Sequence, residues 1–192
     1  MSDTYDLLRA LTSPIVAITT RRGDELNGMI VNSAMRASLS AEKPHVSAYV
    51  HKFNYSHDTI FETGRMVLHV LHREQMEVVS SLGFRSRREH DKMAEIPYRE
   101  GLHGLPILDD CYASFECDVV NVMDTGASTL FLGAVRRAHR GPGTALMTAE
   151  YLRSALPEAR RKEYERNLKQ AQEFATTMAD QIKAVVWRGL PV

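Results

Sequence analysis

Apolar positions along this chain change their spacing once. From Ser13 to His139 they come in short runs rich in Val, Ile and Thr; after Gly141-Pro142-Gly143 they recur every three or four residues. The first pattern belongs to strands and the second to an amphipathic helix. Residues 15–20, bounded by Pro14 and Gly23, predict a strand, and Arg22-Gly23-Asp24 a turn. Residues 27–34 predict its paired partner, in which Gly28 permits a close backbone approach. Further strands are expected over 46–52, 66–71, 112–123 and 129–137, the last two joined by a hairpin loop at 124–128. Short helices are expected over 6–11 and 56–62, the latter with Ser56 as N-cap, Asp58 in the first turn and Gly64 as its stop. Met76, Val78, Val79 and Leu82 mark an amphipathic helix over 74–82, and residues 83–106 read as a long loop with one helical turn. Pro157 opens a final helix over 158–186, with Tyr164, Leu168, Ala171, Ala175, Met178 and Ile182 on one stripe.

Strands that precede any crossover helix indicate a mainly β protein, a β-barrel with helical insertions rather than a doubly wound sheet. The expected organisation is a barrel domain over 1–143 and a C-terminal helical extension over 144–192. With 192 residues and 44% apolar side chains, a core of useful size is available. Lys+Arg and Asp+Glu both number 24, so no basic surplus argues for nucleic acid or an acidic membrane surface. No apolar run approaches the roughly 18 residues of a membrane span, and Met1 to Asp6 lacks the basic start of a signal peptide. A cytoplasmic setting follows as the expectation, with Cys111 and Cys117 as reduced packing residues.

Scattered histidines show no metal-site spacing, and no nucleophile elbow or Walker loop is present. Two segments remain. Asn27-Gly28-Met29-Ile30-Val31-Asn32-Ser33-Ala34 places small and polar residues where a flat ligand would lie against the backbone. Lys52-Phe53-Asn54-Tyr55-Ser56-His57-Asp58-Thr59 gathers a cation and hydroxyls at a helix start, where N–H groups favour a phosphate. Taken alone, each also reads as ordinary structure, a turn and a cap.

In their order, Ile15 to Thr20, Leu26 to Met29 leading to Asn32-Ser33-Ala34, Ser38-Leu39 and Pro44, and Ser56 and Thr59 ahead of Ile60 to Gly64 form a series. Met66 to Leu71, Asp91-Lys92-Met93, Gly104 to Leu108, Phe115-Glu116-Cys117 and Thr129 to Val135 continue it. This series resembles the flavin reductase-like family of FMN-binding split barrels. The resemblance implies a homodimer with flavin sites near the subunit interface. It places Met29, Val31, Asn32, Ser33 and Ala34 against the isoalloxazine ring and ribityl chain. Lys52, Phe53, Asn54, Ser56 and Thr59 would lie at the phosphate. Arg85, Arg87 or Arg88 would reach that phosphate or a nicotinamide, a solvated basic loop being the plain alternative. It further implies an NAD(P)H-dependent oxidoreductase passing hydride to FMN, with FAD as the alternative flavin. No protein acid or base is then required. Gly126-Ala127-Ser128 and Gly133-Ala134-Val135 stand where family reductases often carry Gly-Asp-His and Gly-Glu-Val. That departure keeps a second reading open, a non-enzymatic, flavoredoxin-like FMN electron carrier serving a protein partner.

Overall fold

Strand β1 (Val16–Arg22) pairs antiparallel with β2 (Glu25–Val31) through the expected turn at Gly23. After β3 (Ala34–Arg36), β4 (His45–His51) and helix α1 (Tyr55–Thr63) come β5 (Arg65–Val70) and helix α2 (Met76–Phe84). A small hairpin of β6 (Tyr98–Glu100) and β7 (Pro106–Leu108) precedes the long hairpin β8 (Ala113–Asp124) and β9 (Ser128–Arg140). Helices α3 (Ala149–Ala155) and α4 (Glu158–Met178) follow. This computed structural model describes residues 8, 11, 13–84 and 91–182. Most of the helix expected over 6–11, the arginines at 85, 87 and 88, and residues 183–186 therefore lie outside the described residues. The last helix, expected to run to 186, ends at Met178, and 179–182 are not helical.

The main sheet has seven strands in the order β2-β1-β5-β8-β9-β4-β3. Its two edge strands, β2 and β3, are joined by only Asn32 and Ser33. Laid flat, seven strands would put the edges roughly 29 Å apart at about 4.8 Å per strand. The chain from Val31 to Ala34 reaches only about 11 Å, so the sheet must curl until its edges meet. Ser13 stitches that seam, its N–H donating to Asn32 O at 3.1 Å and its Oγ accepting from the Ala34 N–H at 3.2 Å. The mainly β barrel with helical insertions and a long C-terminal helix is thus the fold expected from the sequence. One expected strand, 27–34, is divided at this corner into β2 and β3, because a strand passing from one sheet edge to the other must bend.

Consecutive side chains of a strand point to opposite faces, and here both faces are covered. Val16 and Ile18 join Met66, Leu68 and Phe131 inside the barrel, while Ile15 and Ala17 join Val79, Leu82, Leu152 and Leu156 beneath α2 and α3. That is why β1 reads as a continuous apolar run. Lys92 is buried and donates to Leu82 O at 2.8 Å and Gly28 O at 3.0 Å, satisfying a carbonyl at the end of α2 and another on β2. Burial pushes its ammonium down to about 8. His69 on β5 is fully buried. Its Nε2 accepts the Leu108 N–H at 3.1 Å and its Nδ1 lies 3.3 Å from Ala17 O, binding β5 to β7 and β1. Burial pushes it down to about 3.

Candidate functional site

The expected phosphate segment forms a tight turn between β4 and α1. The Lys52 N–H donates to Ala127 O and the Asn54 N–H to His51 O, both at 2.9 Å. Asn54 occupies the N-cap of α1 with extended backbone and makes no side-chain capping bond. Lys52 Nζ pairs with Asp124 Oδ1 at 2.7 Å, and the same carboxylate oxygen accepts the Gly126 N–H at 2.9 Å. Asp124 therefore aims the lysine and shapes the β8–β9 loop together. Lys52, His57, Phe61, Val122, Met123 and Asp124 line an open cavity of about 490 Å³ here, within the usual range for small-molecule sites.

Behind the turn, Ser56 and Thr59 are buried. Ser56 Oγ accepts from Asn27 Nδ2 at 2.8 Å. These two hydroxyl residues support α1 against the sheet, so a ligand at the open end of α1 meets Lys52, Asn54 and backbone amides first. His57 was not singled out by sequence reasoning, although it stands inside the Lys52-to-Thr59 string. Its Nε2 lies 2.8 Å from Thr129 Oγ1, its Nδ1 2.9 Å from Asp58 Oδ1, and its ring stacks on Phe61.

The other segment sits at the seam. Met29, Val31 and Ala34 are buried, Met29 and Val31 as part of the barrel core and Ala34 also lining a second cavity of about 490 Å³ with Met35, Leu39, Val46 and Phe115. Asn32 is exposed and Ser33 half-exposed. The Ser33 hydroxyl donates to Tyr49 O at 2.9 Å, while the Tyr49 N–H donates to Ser33 O at 3.1 Å. From Tyr49 to Lys52 is three residues along β4, roughly 10 Å at about 3.3 Å per residue. The last part of one strand thus carries both segments, the corner beside Tyr49 and the lysine turn just beyond His51. The arginines at 85 and 87 lie outside the described residues.

Phe53 is half-exposed, and its ring lies 6.0 Å edge-on to His51 and 6.1 Å from Phe174 of α4. His51 Nδ1 is buried and, among the described residues, has no hydrogen-bond partner. Burial first, and neighbouring His57 second, lower its pKa. Cys111 and Cys117 are buried free thiols that burial pushes up to about 11 and about 12, so both are neutral near pH 7. Among the described residues no group of three or more His, Cys, Asp or Glu side chains is placed to hold a metal ion, and no helix is long and apolar enough to cross a membrane.

Comparison with known proteins agrees with this architecture. Over 133 residues the chain is 32% identical to a high molecular weight rubredoxin of Moorella thermoacetica, covering 68% of this chain and 57% of that protein. This chain therefore spans little more than half of that relative's length. It is 30% identical over 139 residues to an FMN reductase (NADH), SmoA, of Agrobacterium fabrum, covering 72% of this chain and 76% of the relative. Among solved structures, a nitrilotriacetate monooxygenase component B homologue from Mycobacterium thermoresistibile superposes with a TM-score of 0.63 at 30% identity, covering 74% of this chain and 78% of the other. The model of the flavin reductase like domain matches residues 8–159, which include every strand of the barrel and both flanks of its seam, and the chain belongs to the flavin reductase-like family.

Proposed function

We propose that this protein binds FMN along β4 and passes hydride from NAD(P)H to the flavin. The observation that carries the reading is Lys52 held beside the uncapped start of α1, a cation and helix N–H groups converging where a phosphate would sit. The FMN reductase relative from Agrobacterium fabrum supports the same cofactor and a nicotinamide donor. When bound, the flavin supplies the hydride-accepting ring. Lys52, Asn54 and the first amides of α1 hold its phosphate, with Ser56 and Thr59 bracing the helix behind them. Asp124 keeps the lysine aimed. Asn32 and Ser33, fixed to β4 through Tyr49, offer backbone and amide groups to the ring about one ribityl length away, against a wall of Met29, Val31 and Ala34. Arg85 and Arg87 serve as anion contacts for the flavin phosphate or the nicotinamide nucleotide. The chain works in the cytoplasm as a homodimer. Tyr49, Leu130 and Met123 are direct cross-strand neighbours, and Tyr49 and Met123 are exposed along with Met35 and Val120. Such an apolar strip suits a second copy.

The visible spectrum of the purified protein tests this, followed by anaerobic addition of NADH and then NADPH. Flavin absorbance that bleaches with either nucleotide is expected. A yellow protein that neither nucleotide bleaches would overturn hydride transfer and leave an electron carrier. Lys52→Ala should weaken FMN by about 1.5–3 kcal/mol, the worth of a hydrogen bond to a charged group. Fluorescence titration would measure it, and unchanged affinity would remove Lys52 from the phosphate site.

A further inference from the structure

Helix α4 has no buried residue, yet its second half reaches the turn that holds Lys52. The Phe174 ring centroid lies 5.3 Å from that of His51 and 6.1 Å from that of Phe53, the residues immediately before and after the lysine. One turn of helix further on, the carbonyl of Met178 lies against Gly126. Gly126 has φ +81°, and a Cβ added there would stand 2.5 Å from that oxygen, so the position requires glycine both for its backbone and for the approach of α4. The Gly126 N–H donates to Asp124, the carboxylate paired with Lys52. The same helix thus grips both loops that meet at the Lys52–Asp124 pair. At its other end Arg160 lies over the Phe84 ring at 5.5 Å and Tyr164 packs on the outer core. It is a strap fixed at both ends.

We propose that Phe174 is a positioning residue that holds the Lys52 turn in its phosphate-binding geometry. The proposal rests on the FMN reading above and adds to it a part for the C-terminal helix. Phe174 does not touch the ligand in this account. It fixes His51 and Phe53, so that the lysine between them does not have to be ordered when the anion arrives, and ordering costs of that kind come directly out of affinity. Because only the phosphate end of the ligand is affected, the consequence is selective between two flavins that differ by that phosphate.

The test is fluorescence titration of the full chain and its Phe174→Ala variant with FMN and with riboflavin. Phe174→Ala should raise the Kd for FMN about tenfold while shifting that for riboflavin by less than about twofold, since only the charge-assisted contacts are misaligned. Phe174→Tyr, which keeps the ring, should restore FMN binding, a rescue that loss of general stability would not show. Should the alanine variant fail to fold, Phe174→Leu keeps apolar volume on α4 while removing the ring, and the same selective loss is expected. Equal weakening of both flavins, or unchanged FMN affinity, would overturn the proposal. A wild-type chain that takes up neither flavin would instead overturn the FMN reading itself.

Discussion

Phe131, near the start of β9, exposes none of its surface and meets the rings of His57 and Phe61 at 5.6 and 6.5 Å. Across the 21 residues of α4 no side chain is buried. Strand β1 is covered on both faces, one by the opposite wall and the other by α2 and α3. Helix α4 lies over that structure as an added layer, with Tyr164 on the outer core and Phe174 on the Lys52 turn. Its internal ion pairs, Lys162–Glu158 and Arg160–Glu163, are the exposed kind that contribute a few tenths of a kcal/mol at most. The contrast separates two duties. The barrel sets the fold, and α4 adjusts a site that the barrel has already built.

The largest effect should come from the interior. Phe131→Ala is expected to cost about 3–5 kcal/mol in urea unfolding, through lost transfer energy and the cavity left among packed neighbours. A loss under about 1 kcal/mol would break the comparison, since it would mean that the barrel interior is no tighter than the helix outside it.

Acid should act on the barrel as well, since α4 carries no histidine. His69 has an ordinary pKa of 6.5 when unfolded and is pushed down to about 3 in the fold. A second ring proton would meet the Leu108 N–H that Nε2 now accepts. Below pH 6.5 the unfolded chain takes up this proton and the folded chain does not, so stability is full above 6.5 and falls towards pH 3. The slope from this one group approaches about 1.4 kcal/mol per pH unit. Urea midpoints measured between pH 7 and pH 4 should therefore drop more steeply for the wild type than for His69→Gln. Parallel profiles would show that His69 is not the acid-sensitive group.

Much of this was legible in the sequence, and the exceptions have physical causes. The apolar runs of β1, β4 and β5 show because these strands run through the core, and those of β8 and β9 show in the halves that do so. The hairpin β6–β7 did not show, since strands of three residues flanked by Gly and Pro are too short to display alternation and all of β6 is exposed. Helix α3 was missed for a similar reason, with only Ala149 and Leu152 buried along its seven residues. At the site, Lys52 and Asn54 could be picked out because a cation and polar side chains gather ahead of a helix start. The expected N-cap was Ser56, and the fold places it two residues earlier, at Asn54. Asp124, Gly126 and Phe174 could not, because their bearing on Lys52 exists only once β9 lies beside β4 and α4 has folded back. His57 carried a local signal, and its tie to Thr129 across two elements is what the string alone lacks.

The smallest effect should come from α4 itself. Leu168 lies on the expected apolar stripe, and in the fold it lines an open groove of about 580 Å³ with Leu156, Tyr164 and Gln172. Truncating a side chain that already borders a groove removes little contact and creates no closed cavity, so neither part of the usual core penalty is large. Leu168→Ala should accordingly cost less than about 1 kcal/mol in the same urea titration as Phe131→Ala. Its unfolding slope should match the wild type, because the barrel still unfolds as one unit. A cost as large as that of Phe131→Ala would show that α4 belongs to the cooperative core. The selective effect expected of Phe174 would then be inseparable from folding, and the division between a barrel that sets the fold and a strap that tunes the site would fail.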